Sequence, residues 1–270
     1  MVTRSAHHVH TAYVDGIDTV FEMAEAAEKA GFLSLGFSEH SIQVVDPFYG
    51  LSPETALSYR QDVLEAREKY SGKLSIYLGM ELDVFAAPLP FPIDYHLAAK
   101  HYLTHESEHI PVDGNFKDVE RLARELGGWV PLCSRYFDEF ADHIERCRPD
   151  IIAHFDLPAK WNEDGRHYDE SDPKYLQAGF DALSRMAATG ALLEVNTGAI
   201  ARGYRSSPYP SLPFLKFWRS LGGRVILGSD CHDARCIVTG YELSETLMRE
   251  AGYSCAVRLG VHDLFEEYLL

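Results

Sequence analysis

The chain has 270 residues, 46% of them hydrophobic, and a formal net charge of −16. So acidic a surface is unsuited to the phosphate backbones of nucleic acids. No apolar run is long enough to span a membrane and no signal-like N-terminal stretch appears, so a cytoplasmic protein is expected. The five cysteines show no CxxC spacing and read as reduced thiols. Handling a phosphate from such a surface requires bound cations and a few placed arginines.

The first strand runs into Ser5-Ala6-His7-His8-Val9-His10-Thr11. Alternation along a strand puts His8 and His10 on one face and Val9 on the other, with His7 facing away as packing or support. Two neighbouring neutral imidazoles are half of a metal site suited to Zn, Fe or Mn. Apolar spacing then predicts a helix over 17–30, closed by Gly31. A strand over 33–37 ends in Ser38-Glu39-His40, and a helix covers 53–70. The strand 74–80 ends in Glu81-Leu82-Asp83, and the strand 94–99 in Lys100-His101. Residues 113–147 read as largely helical and polar, with Tyr136 and Phe137 as an exposed-looking aromatic pair. The strand 151–153 ends in His154-Phe155-Asp156.

A helix over 175–189 precedes the strand 191–196, which carries Glu194 and Asn196 and leads into a Gly/Arg/Pro-rich loop. A helix over 214–221 precedes the strand 225–229, which ends in Asp230-Cys231-His232. Helices are expected over 241–253 and 262–268. This alternation, repeated about seven times without a linker, predicts a parallel α/β barrel as a single domain over 1–270.

The polar residues fall in a regular place. His8, His10, His40, Glu81, His101, His154, Glu194, Asn196, Asp230 and His232 all sit at C-terminal strand ends, where α/β barrels build active sites. The set is rich in imidazole and carboxylate, which suits Zn, Fe or Mn better than Ca or Mg. A carboxylate such as Glu81 can bridge two ions about 3.5–4 Å apart. His96, His105, His109, His143, His167 and His262 lie outside this pattern and are expected at solvated positions.

His8-Val9-His10, Ser38-Glu39-His40, Gly79-Met80-Glu81, His101, His154 and Gly228-Ser229-Asp230-Cys231-His232 together resemble, in order, the signatures of the polymerase and histidinol phosphatase (PHP) superfamily. Within it, the stretches 151–157, 194–210 and 228–234 are similar to the monofunctional histidinol-phosphatases of histidine biosynthesis. The resemblance implies a distorted (β/α)7 barrel with two or three divalent metal ions, hydrolysing L-histidinol phosphate to L-histidinol and phosphate. Carried over, His8, His10, Glu81 and Asp230 hold one metal, and Glu81, His101 and His154 a second. His40 and His232 hold a third. The relatives add a histidine six residues after the second His of HxH; here that position is Gly16, and Asp15 is the nearest substitute.

The implied chemistry polarises the phosphoryl oxygens and generates hydroxide from water. Arg202 and Arg205 are candidates for binding phosphate through their planar forks. Asp230 or His232 is the candidate proton donor to the leaving group, and Glu194 and Asn196 either orient ligands or contact the substrate amine. Tyr136, Phe155 and Tyr204 are candidate walls around an imidazole. Alternatives are a phosphatase for another small phosphomonoester, such as a nucleotide, and a non-catalytic metal-binding module.

Overall fold

The computed structural model describes residues 4–270. In chain order its elements are β1 (Arg4–Ala6), α1 (Val20–Lys29), β2 (Phe32–Phe37), α2 (Pro53–Lys69), β3 (Ser75–Leu82), β4 (Tyr95–Ala98), β5 (Tyr102–His105) and β6 (Glu108–Pro111). They continue with α3 (Phe116–Glu125), α4 (Trp129–Cys147), β7 (Ile151–Ile152), α5 (Pro173–Ala187), β8 (Leu192–Asn196), α6 (Gly198–Ala201), α7 (Leu212–Ser220), β9 (Val225–Gly228), α8 (Tyr241–Glu250), β10 (Cys255–Leu259) and β11 (Phe265–Leu269). Capping follows the sequence closely. Thr19 and Glu22 form a capping box on α1, and Ser52 with Thr55 does the same for α2.

The main sheet runs β1-β2-β3-β4-β7-β8-β9-β10-β11, with β5 and β6 as a separate hairpin. Every neighbouring pair in it is parallel except β10 with β11. Beyond the strand ends, Val9 bridges Cys231 in parallel, with His10 N donating to Cys231 O at 2.9 Å. This brings the chain leaving β1 against the chain leaving β9, so seven parallel strands curve round into the distorted barrel expected from the sequence. At the opposite end β10 reaches back towards β2, where Ser34 Oγ donates to Leu259 O.

The barrel interior holds its own apolar layer: Tyr95, Leu97, Ala99, Ile151, Ala153, Leu192, Ile226, Val257 and Leu259, separate from the larger core between sheet and helices. Tyr95 fills the middle and donates its hydroxyl to His7 O. Gly36 makes room for it, since a Cβ there would lie 2.1 Å from the Tyr95 hydroxyl.

Two expected features differ. The segment read as a helix over 262–268 is the strand β11, paired antiparallel to β10 in a hairpin that the sequence reading did not foresee. Leu264, Phe265 and Tyr268 fit helical spacing, but pairing with the alternating β10 prevails. The second concerns Tyr136 and Phe137, which are fully buried on α4 rather than exposed. Phe137 stacks on Phe155 at 4.8 Å and meets Phe214 edge-on at 5.5 Å, because the α4 face packs against α5 and α7. His143, expected on the surface, is also buried on this helix, its Nε2 3.4 Å from Leu82 O.

Candidate active site

Each parallel strand delivers its polar residues at or just past its C-terminal end. His8 and His10 follow β1, His40 follows β2, and Glu81 is the penultimate residue of β3. His101 follows β4, His154 follows β7, and Asp230 and His232 follow β9. His40 pairs with Glu81 through a parallel backbone bridge, so register fixes the two side chains side by side. Asp230 takes a left-handed backbone (φ 47°), a conformation that aspartate tolerates better than most residues and that turns the carboxylate inward.

Glu81 is the hub. Its Oε1 lies 2.9 Å from His154 Nε2, 3.5 Å from His8 Nε2 and 3.7 Å from His101 Nε2. Its Oε2 lies 2.8 Å from His40 Nδ1 and 3.6 Å from His10 Nε2. Asp230 Oδ1 faces His10 Nε2 at 3.4 Å and His8 Nε2 at 3.7 Å. Four overlapping groups thereby have the spacing to hold a cation: His10-Asp15-His40-His232, His8-His10-Asp230, His8-Glu81-His154 and His40-Glu81-His101.

A ring of buried carboxylates aims these imidazoles. Glu194 Oε1 takes His8 Nδ1 at 2.8 Å and lies 3.1 Å from His7 Nε2, while Oε2 accepts from His154 N and from Asn196. Asp83 accepts from His101 Nδ1 at 2.9 Å and from its backbone N. Glu39 accepts from Thr11 and lies 3.7 Å from His10 Nδ1. Glu194 on His8 and Asp83 on His101 each fix one ring nitrogen as a donor and leave the other's lone pair aimed inward. Glu194, held by Asn196, therefore braces the imidazoles from behind the pocket, which neither residue lines, and His7 is a partner of Glu194.

The electrostatics call for cations. Burial works against the charged form of every group here, yet Glu194, Asp230 and Glu81 hold the His8 imidazole well above its usual pKa, and Glu81 with Asp15 does the same for His40. Burial likewise opposes ionisation of Glu81, but His40, His8 and His101 hold its carboxyl well below the usual carboxylate range. Asp230 is held low against burial by Arg202, His8 and His10. Several buried polar atoms have no hydrogen-bond partner: His8 Nε2, both ring nitrogens of His10, His40 Nε2, Glu81 Oε2 and Asp15 Oδ1. Buried polar atoms are rarely left unpaired, and all of these belong to residues of the four overlapping groups. Imidazole nitrogens and carboxylate oxygens aimed at one point fit divalent metal ions.

Asp15 belongs to this set. Its Oδ2 lies 3.2 Å from His232 Nε2 and 3.6 Å from His40 Nε2, and its Oδ1 lies 3.7 Å from His10 Nδ1. Gly16 cannot carry the side chain instead, because a Cβ there would lie 2.7 Å from Thr11 N. The tight turn passes the task to the residue before it.

Over the centre opens a pocket of about 280 Å³, lined by Asp15, His40, Glu81, His101, His154, Asp230 and His232 together with Tyr49, Asp113, Leu157, Lys160, Arg202 and Tyr204. Arg202 reaches the centre, its Nη2 2.9 Å from Asp230 Oδ2 and its Nη1 3.0 Å from His232 Nδ1. Arg205 does not. Its guanidinium is taken by Glu170 at 2.6 Å, Ala159 O and Ser207, and it lines a separate acidic surface hollow. Tyr136 and Phe155 are buried in the helical layer, and of the three expected aromatic walls only Tyr204 faces the pocket.

Tyr49, Asp113 and Lys160 are pocket residues that the sequence reading missed. Asp113 lies in the turn that follows the unforeseen β5–β6 hairpin. Lys160 sits on a short helical turn, Leu157–Trp161, next to the recognisable His154 motif but outside its pattern.

Comparison with known proteins agrees with this architecture. A family model described as the PHP domain matches residues 6–198. A Schizosaccharomyces pombe protein named probable histidinol-phosphatase is 22% identical over 261 residues, covering 88% of this chain and 84% of its own. A Bacillus subtilis histidinol-phosphatase is 22% identical over 260 residues, covering 87% and 96%. Among solved structures, a Lactococcus lactis histidinol phosphate phosphatase complexed with Zn, L-histidinol and phosphate superposes with a TM-score of 0.69 at 20% identity, covering 94% of this chain and 95% of that one. A Listeria monocytogenes protein solved under a histidinol-phosphatase designation gives a TM-score of 0.78 at 19% identity, over 89% and 99%. A seven-strand parallel barrel with its imidazoles and carboxylates gathered at the strand ends, matched by the family model over most of its length, places the chain in the PHP domain family.

Proposed function

We propose that this chain is a metal-dependent phosphomonoester hydrolase whose substrate is L-histidinol phosphate. The observation that carries the reading is the convergence of unpaired imidazole and carboxylate atoms beside two cationic side chains, Arg202 and Lys160, in one pocket. The names of the curated relatives and the contents of the Lactococcus lactis structure support the substrate.

We assign His8, His10, Glu81 and Asp230 to one ion and Glu81, His101 and His154 to a second. His40, His232 and Asp15 serve a third, the ions being Zn, Fe or Mn. When bound, such ions polarise the phosphoryl oxygens and produce hydroxide from water at neutral pH. The chain's own residues do the rest. Arg202 offers its fork to the phosphoryl oxygens and Lys160 adds a second positive charge. Glu194, itself held by Asn196, and Asp83 hold the rings of His8 and His101 in their coordinating tautomers.

The leaving alkoxide needs a proton. Asp230 remains ionised beside Arg202 and His8, and His232 belongs to a ligand group. Lys160 is a pocket ammonium outside every ligand group and is our candidate donor; burial lowers its pKa from the ordinary lysine value.

The test is phosphate release by chelator-stripped protein reloaded with Mn or Zn, across a panel of phosphomonoesters. Preferential turnover of L-histidinol phosphate is expected. Preferential turnover of nucleoside monophosphates identifies a different phosphatase, and no turnover of any ester identifies a binding module.

A further inference from the structure

Four carboxylates line the pocket: Asp15, Glu81, Asp113 and Asp230. Three of them belong to the cation-holding groups, and Asp113 belongs to none. Its carboxylate accepts no hydrogen bond among the described residues, and the nearest cation, Lys160 Nζ, lies 3.8 Å from Oδ2. Its backbone, by contrast, is firmly placed. Val112 N donates to His101 O at 2.7 Å, so the loop is tied to a residue of the metal centre. Trp161 Nε1 donates to Val112 O at 2.8 Å, and Lys160 Nζ donates to Asp113 O at 2.5 Å. A carboxylate with free lone pairs, on a loop pinned from two sides, is preorganised for a ligand.

We infer that Asp113 is a specificity residue that receives the protonated amine of the substrate, selecting phosphomonoesters of amino alcohols. This rests on the substrate reading above. In such an ester the phosphate and the ammonium carry opposite charges a few bonds apart. The pocket presents matching charges: Arg202 and Lys160 for the phosphate, and Asp113 as the acidic group not committed to metal. Tyr49 and Tyr204 supply aromatic surface on the same pocket, Tyr49 lying against His40 at 4.7 Å. A charge-assisted hydrogen bond to the ammonium separates amino-bearing from amine-free esters by about 10- to 100-fold.

The experiment compares L-histidinol phosphate with its desamino analogue, identical except that the amine is replaced by hydrogen, on the wild type, Asp113→Asn and Asp113→Glu. The wild type should favour the amine-bearing ester by about 10- to 100-fold in kcat/KM. Asp113→Asn should lose that preference through a rise in KM for the amine-bearing ester that exceeds any change for the desamino ester, and Asp113→Glu should recover part of it. Turnover of the desamino ester also reports that the variant is folded. Equal losses on both esters would mean that Asp113 acts only through Lys160, and an unchanged preference would mean that it contacts no amine; either overturns the inference. A wild type that cleaves neither ester but other phosphomonoesters overturns the substrate reading itself, a separate result from a wild type that cleaves both esters equally.

Discussion

The two ends of the strand barrel use buried side chains in opposite ways. Towards the N-terminal ends, Tyr95, Ile151, Leu192, Ile226, Val257 and Leu259 close the interior with apolar groups, and Tyr95 finds a hydrogen-bond acceptor for its hydroxyl. At the C-terminal ends the interior is equally buried, yet it is filled with imidazoles and carboxylates, several of them without a partner. The first arrangement lowers the free energy of the folded chain by itself, through apolar burial and close packing. The second costs free energy until cations satisfy it. Stability and function are thereby separated along the barrel axis, and each can be perturbed without the other.

The largest effect should come from the hub. Glu81→Ala removes a carboxylate facing His8, His10, His40, His101 and His154, and should lower kcat/KM by about a thousandfold or more while the bound metal content falls. Elemental analysis beside the kinetic assay checks both parts. At the other end, Leu192→Ala, at the first residue of β8, should cost about 2–5 kcal/mol in urea unfolding yet leave metal stoichiometry and turnover of the folded protein unchanged. Loss of metal in that variant would show that the two ends are not independent.

Glu194→Gln keeps the shape but weakens the hold on His8, and should reduce metal affinity about 10- to 100-fold in a competitive chelator titration. Lowering the pH should act in the same direction. An imidazole must be neutral to coordinate, and the pKa values of His8, His10, His40 and His101 are raised above 6.5. Protons therefore compete with metal above pH 6.5, and affinity should rise as pH is increased through and beyond that point. Calorimetry in buffers of different ionisation enthalpy should register protons released on binding. The smallest effect separates two arginines three positions apart in sequence: Arg202→Ala should raise KM for the phosphoester, whereas Arg205→Ala should change kcat/KM less than about threefold and act on stability through its lost partner Glu170.

What the sequence revealed follows the same division. The clustered imidazoles and carboxylates are legible because period-two alternation places His8 and His10 together and because apolar strand runs end in polar residues. Asp15 is legible only as a substitute, since its role depends on a turn around Gly16 that has no side-chain pattern of its own. Arg202 and Arg205 look equivalent in a polar loop, and only the folded chain shows Glu170 claiming one of them. Asp113 and Lys160 were missed because they meet across loops far apart in sequence, through backbone hydrogen bonds that side-chain periodicity does not record. The burial of Tyr136 and Phe137 was misread for a related reason, as a helix face that looks mixed in sequence is covered by α5 and α7 in space.

The most direct measurement is a titration of Mn or Zn into chelator-stripped protein while phosphate release from L-histidinol phosphate is followed. Activity should be absent without metal, rise with each equivalent added and level off once the two or three sites around Glu81 are filled. Full turnover of that ester in excess chelator, or none at any metal loading, would contradict the account.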